Sequence, residues 1–234
     1  MKTNMHIPLL AALTLGLCMS GPAAAATGRW DTGFGPGSGN GTTSATPWIA
    51  SPGAGSLYVE WNFFGDDDPA TLLIEDSTPD IASFGLGGGT ARLGETSGGA
   101  FVTSGGNIYS PGVVSAFTVS TPGLAEAATV LLRVSTLGSL LSTTATLNGI
   151  GATAQETFSA TLTGGFGGTE KEWVWSWTLP AAAASYEFAF ESAASSVSLD
   201  QTAVFAAPVP EPGTYAMFGL GLLAVAFGLR KRAG

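Results

Sequence analysis

The chain has 234 residues, 17 acidic against 8 basic side chains, 34 glycines, and only one His and one Cys. A net charge of −9 speaks against nucleic acid and anionic lipid as partners. A hydrophobic share of 45 % speaks against disorder throughout.

The first segment, residues 1–26, reads as a secretory signal peptide. Lys2 is a short basic start, Ile7 to Met19 is apolar, and Ala24 and Ala26 set up a cut before Thr27. The partners this implies are the Sec machinery and signal peptidase. A lipoprotein reading fails because Leu17 precedes Cys18, where a small residue is needed. His6 and Cys18 both lie in this segment, so the mature chain is expected to carry neither. That removes disulfides, thiol nucleophiles, imidazole bases and His/Cys metal sites from consideration.

Residues 27–46 are Gly/Ser-rich and read as a flexible arm. Residues 47–207 read as one ectodomain. In LYVEWNFF, Leu57, Val59, Trp61 and Phe63 alternate with Tyr58, Glu60 and Asn62, the period of a strand with one apolar face. TLLIED, two runs around Gly105-Gly106, VVSAFTVS and ATVLLRVSTL continue the pattern. Asn148-Gly149 marks a hairpin, and TFSATLTGG follows it. In EWVWSWTLP, Trp173, Trp175, Trp177 and Leu179 share one face; SYEFAFES repeats the alternation, and SVSLDQTAVFA is the last strand. Roughly nine or ten strands without an amphipathic helix predict an all-β fold, a single antiparallel β-sandwich.

Two features of this body could carry chemistry. Asp66, Asp67 and Asp68 form an acidic turn that could take Ca²⁺ with help from Asp76, Asp80 or Asp200. A solvated loop is the simpler reading, and no cofactor is expected. The row Trp173, Trp175, Trp177 could stack on sugar rings, but Tyr186, Phe188 and Phe190 offer it a matching apolar face in a core. Glu170 and Glu172 flank Lys171 without a supporting acid/base motif, and no nucleophile elbow or phosphate loop is present.

Residues 208–234 are a different kind of segment. Val209, Pro210, Glu211 and Pro212 form a joint that two prolines hold extended. Residues 213–229 are uncharged and predict a helix; Tyr215 to Leu229 would span roughly 22 Å, marginal against a hydrocarbon core of about 30 Å. Arg230, Lys231 and Arg232, in a tail of residues 230–234, supply a stop-transfer signal that keeps the C-terminus cytoplasmic.

Motif, apolar stretch and basic end together resemble the PEP-CTERM sorting signal of Gram-negative bacteria that make exopolysaccharide. The resemblance implies recognition by exosortase, cleavage near the motif and passage to the cell surface or extracellular matrix. The inner membrane would hold the protein only in transit. The aromatic strands also resemble, loosely, the jelly-roll ectodomains found before this signal, which tilts the sandwich toward a jelly-roll-like one. The expected function is that of a non-enzymatic surface or matrix protein associated with exopolysaccharide or biofilm. A carbohydrate-binding module is the alternative, and a Ca²⁺-assisted glycosidase or lyase a distant third.

Overall fold

The computed structural model describes residues 54–84, 90–162, 167–209 and Gly221. The expected signal peptide, the arm, the helix at 213–229 apart from Gly221, and the basic tail therefore lie outside the described residues. Among these no helix is long and apolar enough to cross a membrane.

The described chain is all-β. Its strands are β1 (Leu57–Trp61), β2 (Ile74–Asp76), β3 (Ile81–Phe84), β4 (Arg92–Glu95), β5 (Phe101–Val102), β6 (Ile108–Ser110) and β7 (Ala116–Pro122). There follow β8 (Ala128–Gly138), β9 (Leu141–Leu147), β10 (Ile150–Thr153), β11 (Gln155–Thr161), β12 (Thr169–Leu179), β13 (Ser185–Ser192) and β14 (Val197–Pro208). They form two antiparallel sheets. The larger runs β11-β12-β8-β14-β1-β3, with β6 on β14 and β5 on β6; the smaller runs β10-β9-β13-β7-β4-β2.

Strands β3 and β4 were not expected. Each has four residues and they flank the Gly-rich stretch after Phe84, so neither is long enough to show a period. The hairpin at Asn148-Gly149 forms as expected, pairing Leu147 with Ile150. Both turn residues take positive φ, 50° and 80°, which Asn and Gly tolerate best. Asn148 does a second job: its side chain accepts from Glu187 N at 2.8 Å and donates to Ser185 O at 3.1 Å. The hairpin is thereby fastened to β13.

The two sheets share one core. From the larger sheet, Trp173, Trp175, Trp177 and Leu179 pair across with Val134, Leu132, Val130 and Ala128. From the smaller, Phe188 and Phe190 pair with Val119 and Phe117. The rows meet in the middle: Trp175 lies 6.0 Å from Phe190 and Trp177 lies 5.6 Å from Phe188, centroid to centroid. Such pairs add about 0.5–1.5 kcal/mol beyond the area they bury.

The indole N–H groups decide how this row is held. A buried donor left without a partner costs about 1–3 kcal/mol. Trp175 Nε1 donates to Thr143 O at 3.1 Å, and Trp177 Nε1 donates to Ile150 O at 2.8 Å. Both acceptors belong to the smaller sheet, so these bonds cross the gap between sheets. Trp173 Nε1 is buried without a partner among the described residues.

This difference sets an ordering. Trp177→Phe loses a cross-sheet bond and should cost about 1 kcal/mol or more. Trp173→Phe removes an unpaired donor and should cost less than Trp177→Phe. Urea unfolding of the two variants measures both; equal losses would contradict the assignment.

Candidate functional site

Each candidate from the sequence has a definite place, beginning with the tryptophans. Trp173, Trp175 and Trp177 are 6, 0 and 5 % exposed and face the core. They are not a sugar-stacking platform; the apolar face of β13 covers them.

The acidic turn is a hydrogen-bonded corner. Asp67 Oδ2 accepts from Ser77 N at 2.7 Å and from the Ser77 hydroxyl. Asp66 Oδ1 accepts from Asp68 N at 3.2 Å. Asp76 Oδ2 accepts from Gly65 N at 2.7 Å, and its Oδ1 from Thr78 N at 2.9 Å. Asp80 accepts from Asn62 N and Phe63 N. The carboxylates thus satisfy backbone donors where the chain leaves β1 and enters β2. No group of three or more His, Cys, Asp or Glu side chains able to hold a metal gathers among the described residues. Asp200 lies elsewhere: it is the extra residue of a bulge in β14 and accepts from Asn107 Nδ2 at 2.9 Å.

Glu172 is 1 % exposed and ion-paired to the equally buried Arg133 on β8. Lys171, between the two glutamates, pairs with Glu156 and sits 5.3 Å over the Trp173 ring. Its charge closes the end of the tryptophan row.

The outer face of the smaller sheet holds a feature the sequence reading did not single out. A shallow depression of about 460 Å³ is lined by Thr118, Thr144, Thr146, Thr153, Ala189 and Glu191, among others. A second, of about 410 Å³, adjoins it across Thr96 and Thr118 and includes Arg92, Ser120 and Glu187. Small side chains leave the trough open, and hydroxyls give it donors and acceptors. Phe117 and Phe190 line it only from below, since their side chains are buried in the core. The signal was present in the alternation: the positions that alternate with the buried Phe117 and Val119 on β7 and with Ala145 and Leu147 on β9 include Thr118, Ser120, Thr144 and Thr146.

The last described feature is the joint at the C-terminal end. β14 ends at Pro208, and Val209 N donates to Ala127 O at 2.8 Å. Pro210 has no N–H and cannot extend the ladder. No residue separates this tie, the last among the described residues, from the proline motif. Pro210, Glu211, Pro212 and the basic residues Arg230, Lys231 and Arg232 lie outside the described residues.

A family model described as the PEP-CTERM protein-sorting motif matches residues 208–232. The chain carries a PEP-CTERM sorting motif. No curated protein and no solved structure matches the chain. The PEP-CTERM motif implies export, a membrane-anchored sorting signal and processing by exosortase. Its first residue, Pro208, is also the last residue of β14, so sorting signal and domain share a strand end.

The acidic corner has a pH signature. Burial pushes the Asp76 carboxyl above 3.8, against the pull of its hydrogen bonds from Gly65 and Thr78. The Ser77 hydrogen bonds, side chain first, hold Asp67 below 3.8. Asp76 therefore weakens the fold as pH rises from 3.8 through its folded pKa, because the native state holds the proton longer. Asp67 acts oppositely: its contribution is present above 3.8 and lost as pH falls through its folded pKa. Carboxyl NMR titration should show Asp76 titrating above Asp67; the reverse order would contradict this reading of the corner.

Proposed function

We propose that the protein is an exported, non-enzymatic surface or extracellular-matrix component whose β-sandwich ectodomain is delivered by an exosortase route. The Sec machinery exports it and signal peptidase cuts before Thr27. Residues 213–229 hold it briefly in the inner membrane, with the basic tail cytoplasmic. Exosortase then cuts at or near Val209 to Pro212, and the ectodomain passes to the surface or to an exopolysaccharide matrix. The observation that carries this reading is the sorting motif at 208–232 joined without a linker to the strand that centres the larger sheet.

The ectodomain supports a scaffold role. The chain passes from sheet to sheet between β7, β8 and β9 and again between β12, β13 and β14, which favours a jelly-roll-like sandwich. The acidic excess favours solubility over adhesion to anionic polymers.

Two substitutions test the route. Glu211→Ala, or loss of Arg230 to Arg232, should leave full-length protein in the inner membrane. Unchanged processing in both, read by immunoblot of inner-membrane, surface and medium fractions, would overturn it.

A second reading rests on the trough. Its hydroxyl lining and open shape suit a neutral glycan chain held by hydrogen bonds, so the domain would act as a carbohydrate-binding module. The host's own exopolysaccharide is the ligand to try. Ala189→Trp, placed mid-trough on exposed β13, should fill it and weaken binding at least tenfold in calorimetric titration. Equal binding by the variant would remove this reading and leave the first intact.

A further inference from the structure

Among the described residues eight large apolar side chains stand 39–81 % exposed, and seven of them share one end of the two-sheet domain. β14 fixes the ends. It runs from Val197, paired with Ser110 and Gly138, to Pro208, paired with Ala128, roughly 40 Å for its 12 residues. The sorting joint leaves at the Pro208 end. The start of β1 lies there too, since Leu57 pairs with Ala206. The Val197 end is built of loops and the short β5–β6 hairpin. Phe63, Leu72 and Leu73 come from the loop between β1 and β2, and Phe101 from β5. Val113 and Val114 come from the loop between β6 and β7, and Leu140 from the turn between β8 and β9. Ile150, the eighth, lies toward the other end, on β10.

These loops form one surface. Phe64 N donates to Gly106 O at 2.7 Å, which ties the β1–β2 loop to the β5–β6 turn. Ser196 N donates to Ser110 O at 2.7 Å, Ala193 N to Leu140 O at 2.8 Å and Ser192 N to Ser115 O at 2.8 Å. The β13–β14 link thereby joins the loops that carry Val113, Val114 and Leu140. Gly98 and Gly99 lie between Leu72 and Val113: a Cβ on them would stand 3.7 Å from Leu72 O and 3.6 Å from Val113 Cγ2. The buried Glu95 carboxylate accepts from Ser97 N and Gly98 N and holds that turn. Single exposed apolar side chains are ordinary, but a gathered and preordered apolar surface marks a contact site.

The charges at this end select the partner. Asp67, Asp68 and Glu191 are exposed here. The three cations of the described residues are each held in an ion pair: Arg92 with Glu75, Arg133 with Glu172 and Lys171 with Glu156. Anionic lipid, or the same end of a second copy, would meet these carboxylates with like charge. We propose that the Val197 end docks a polypeptide partner through a face that is both apolar and basic. Apolar contact supplies the affinity, and the carboxylates set the orientation and the rate of encounter.

The probe is a synthetic amphipathic helical peptide of Leu and Lys, titrated calorimetrically into the mature protein recovered from its host. Leu72→Ser with Leu73→Ser and, independently, Val113→Ser with Val114→Ser should each weaken binding by roughly tenfold or more. Ile150→Ser, toward the opposite end, should leave it unchanged. Asp68→Asn should flatten the salt dependence. Urea midpoints like that of the parent protein establish that the variants are folded. Equal binding by both double variants would overturn the proposal, because net charge alone would then draw the peptide. Equally tight binding of a Leu and Glu peptide would overturn it too, with no variant needed. Binding to phosphatidylcholine vesicles that both double variants lose would overturn it in favour of a lipid surface. Self-association in sedimentation velocity that both lose would overturn it in favour of a second copy.

Discussion

The hydrogen bonds from Trp175 and Trp177 to the opposite sheet are the constraint from which most of the structure follows. They fix the tryptophan strand against the β9–β10 hairpin at a spacing that lets Phe188 and Phe190 fill the gap. Indoles that face inward cannot also face a ligand. The interior therefore takes the large aromatic surfaces, and the outer face of the smaller sheet is left with threonine, alanine and glycine. The trough exists because the bulky side chains of β7, β9 and β13 are spent on the core.

The second organising element is β14. It pairs with β8 along one side and with β1 and β6 along the other, and it is the last described strand. The sorting motif thus continues the best-embedded strand of the larger sheet. Among the described residues Val209 N makes the last tie to the domain, and the prolines beyond it carry no N–H with which to extend the ladder.

Legibility in the sequence followed physical strength. Long alternating runs such as EWVWSWTLP and SYEFAFES announced their strands, because period-two burial of Trp and Phe has no other reading. Asn148-Gly149 announced its hairpin, because few residue pairs tolerate two positive φ values. Strands β3 and β4 were illegible: four residues held by neighbours carry no period of their own. The burial of Arg133, Glu172 and Glu60 was also hidden, since charged residues at alternate positions normally mark a solvated face. The acidic run Asp66 to Asp68 read most simply as a solvated loop, with an ion site as the alternative; which backbone donors the Asp66 and Asp67 carboxylates would accept from was not legible in it. The sorting motif lay in plain composition and needed no fold to be read.

The measurement that bears most directly on the account is the intact mass of the protein recovered from the cell surface and the medium. The account requires a species that begins at Thr27 and ends between Val209 and Pro212, bare or carrying an added group. A species that still ends at Gly234 would contradict it, making the tail a permanent anchor and the protein a membrane-tethered one.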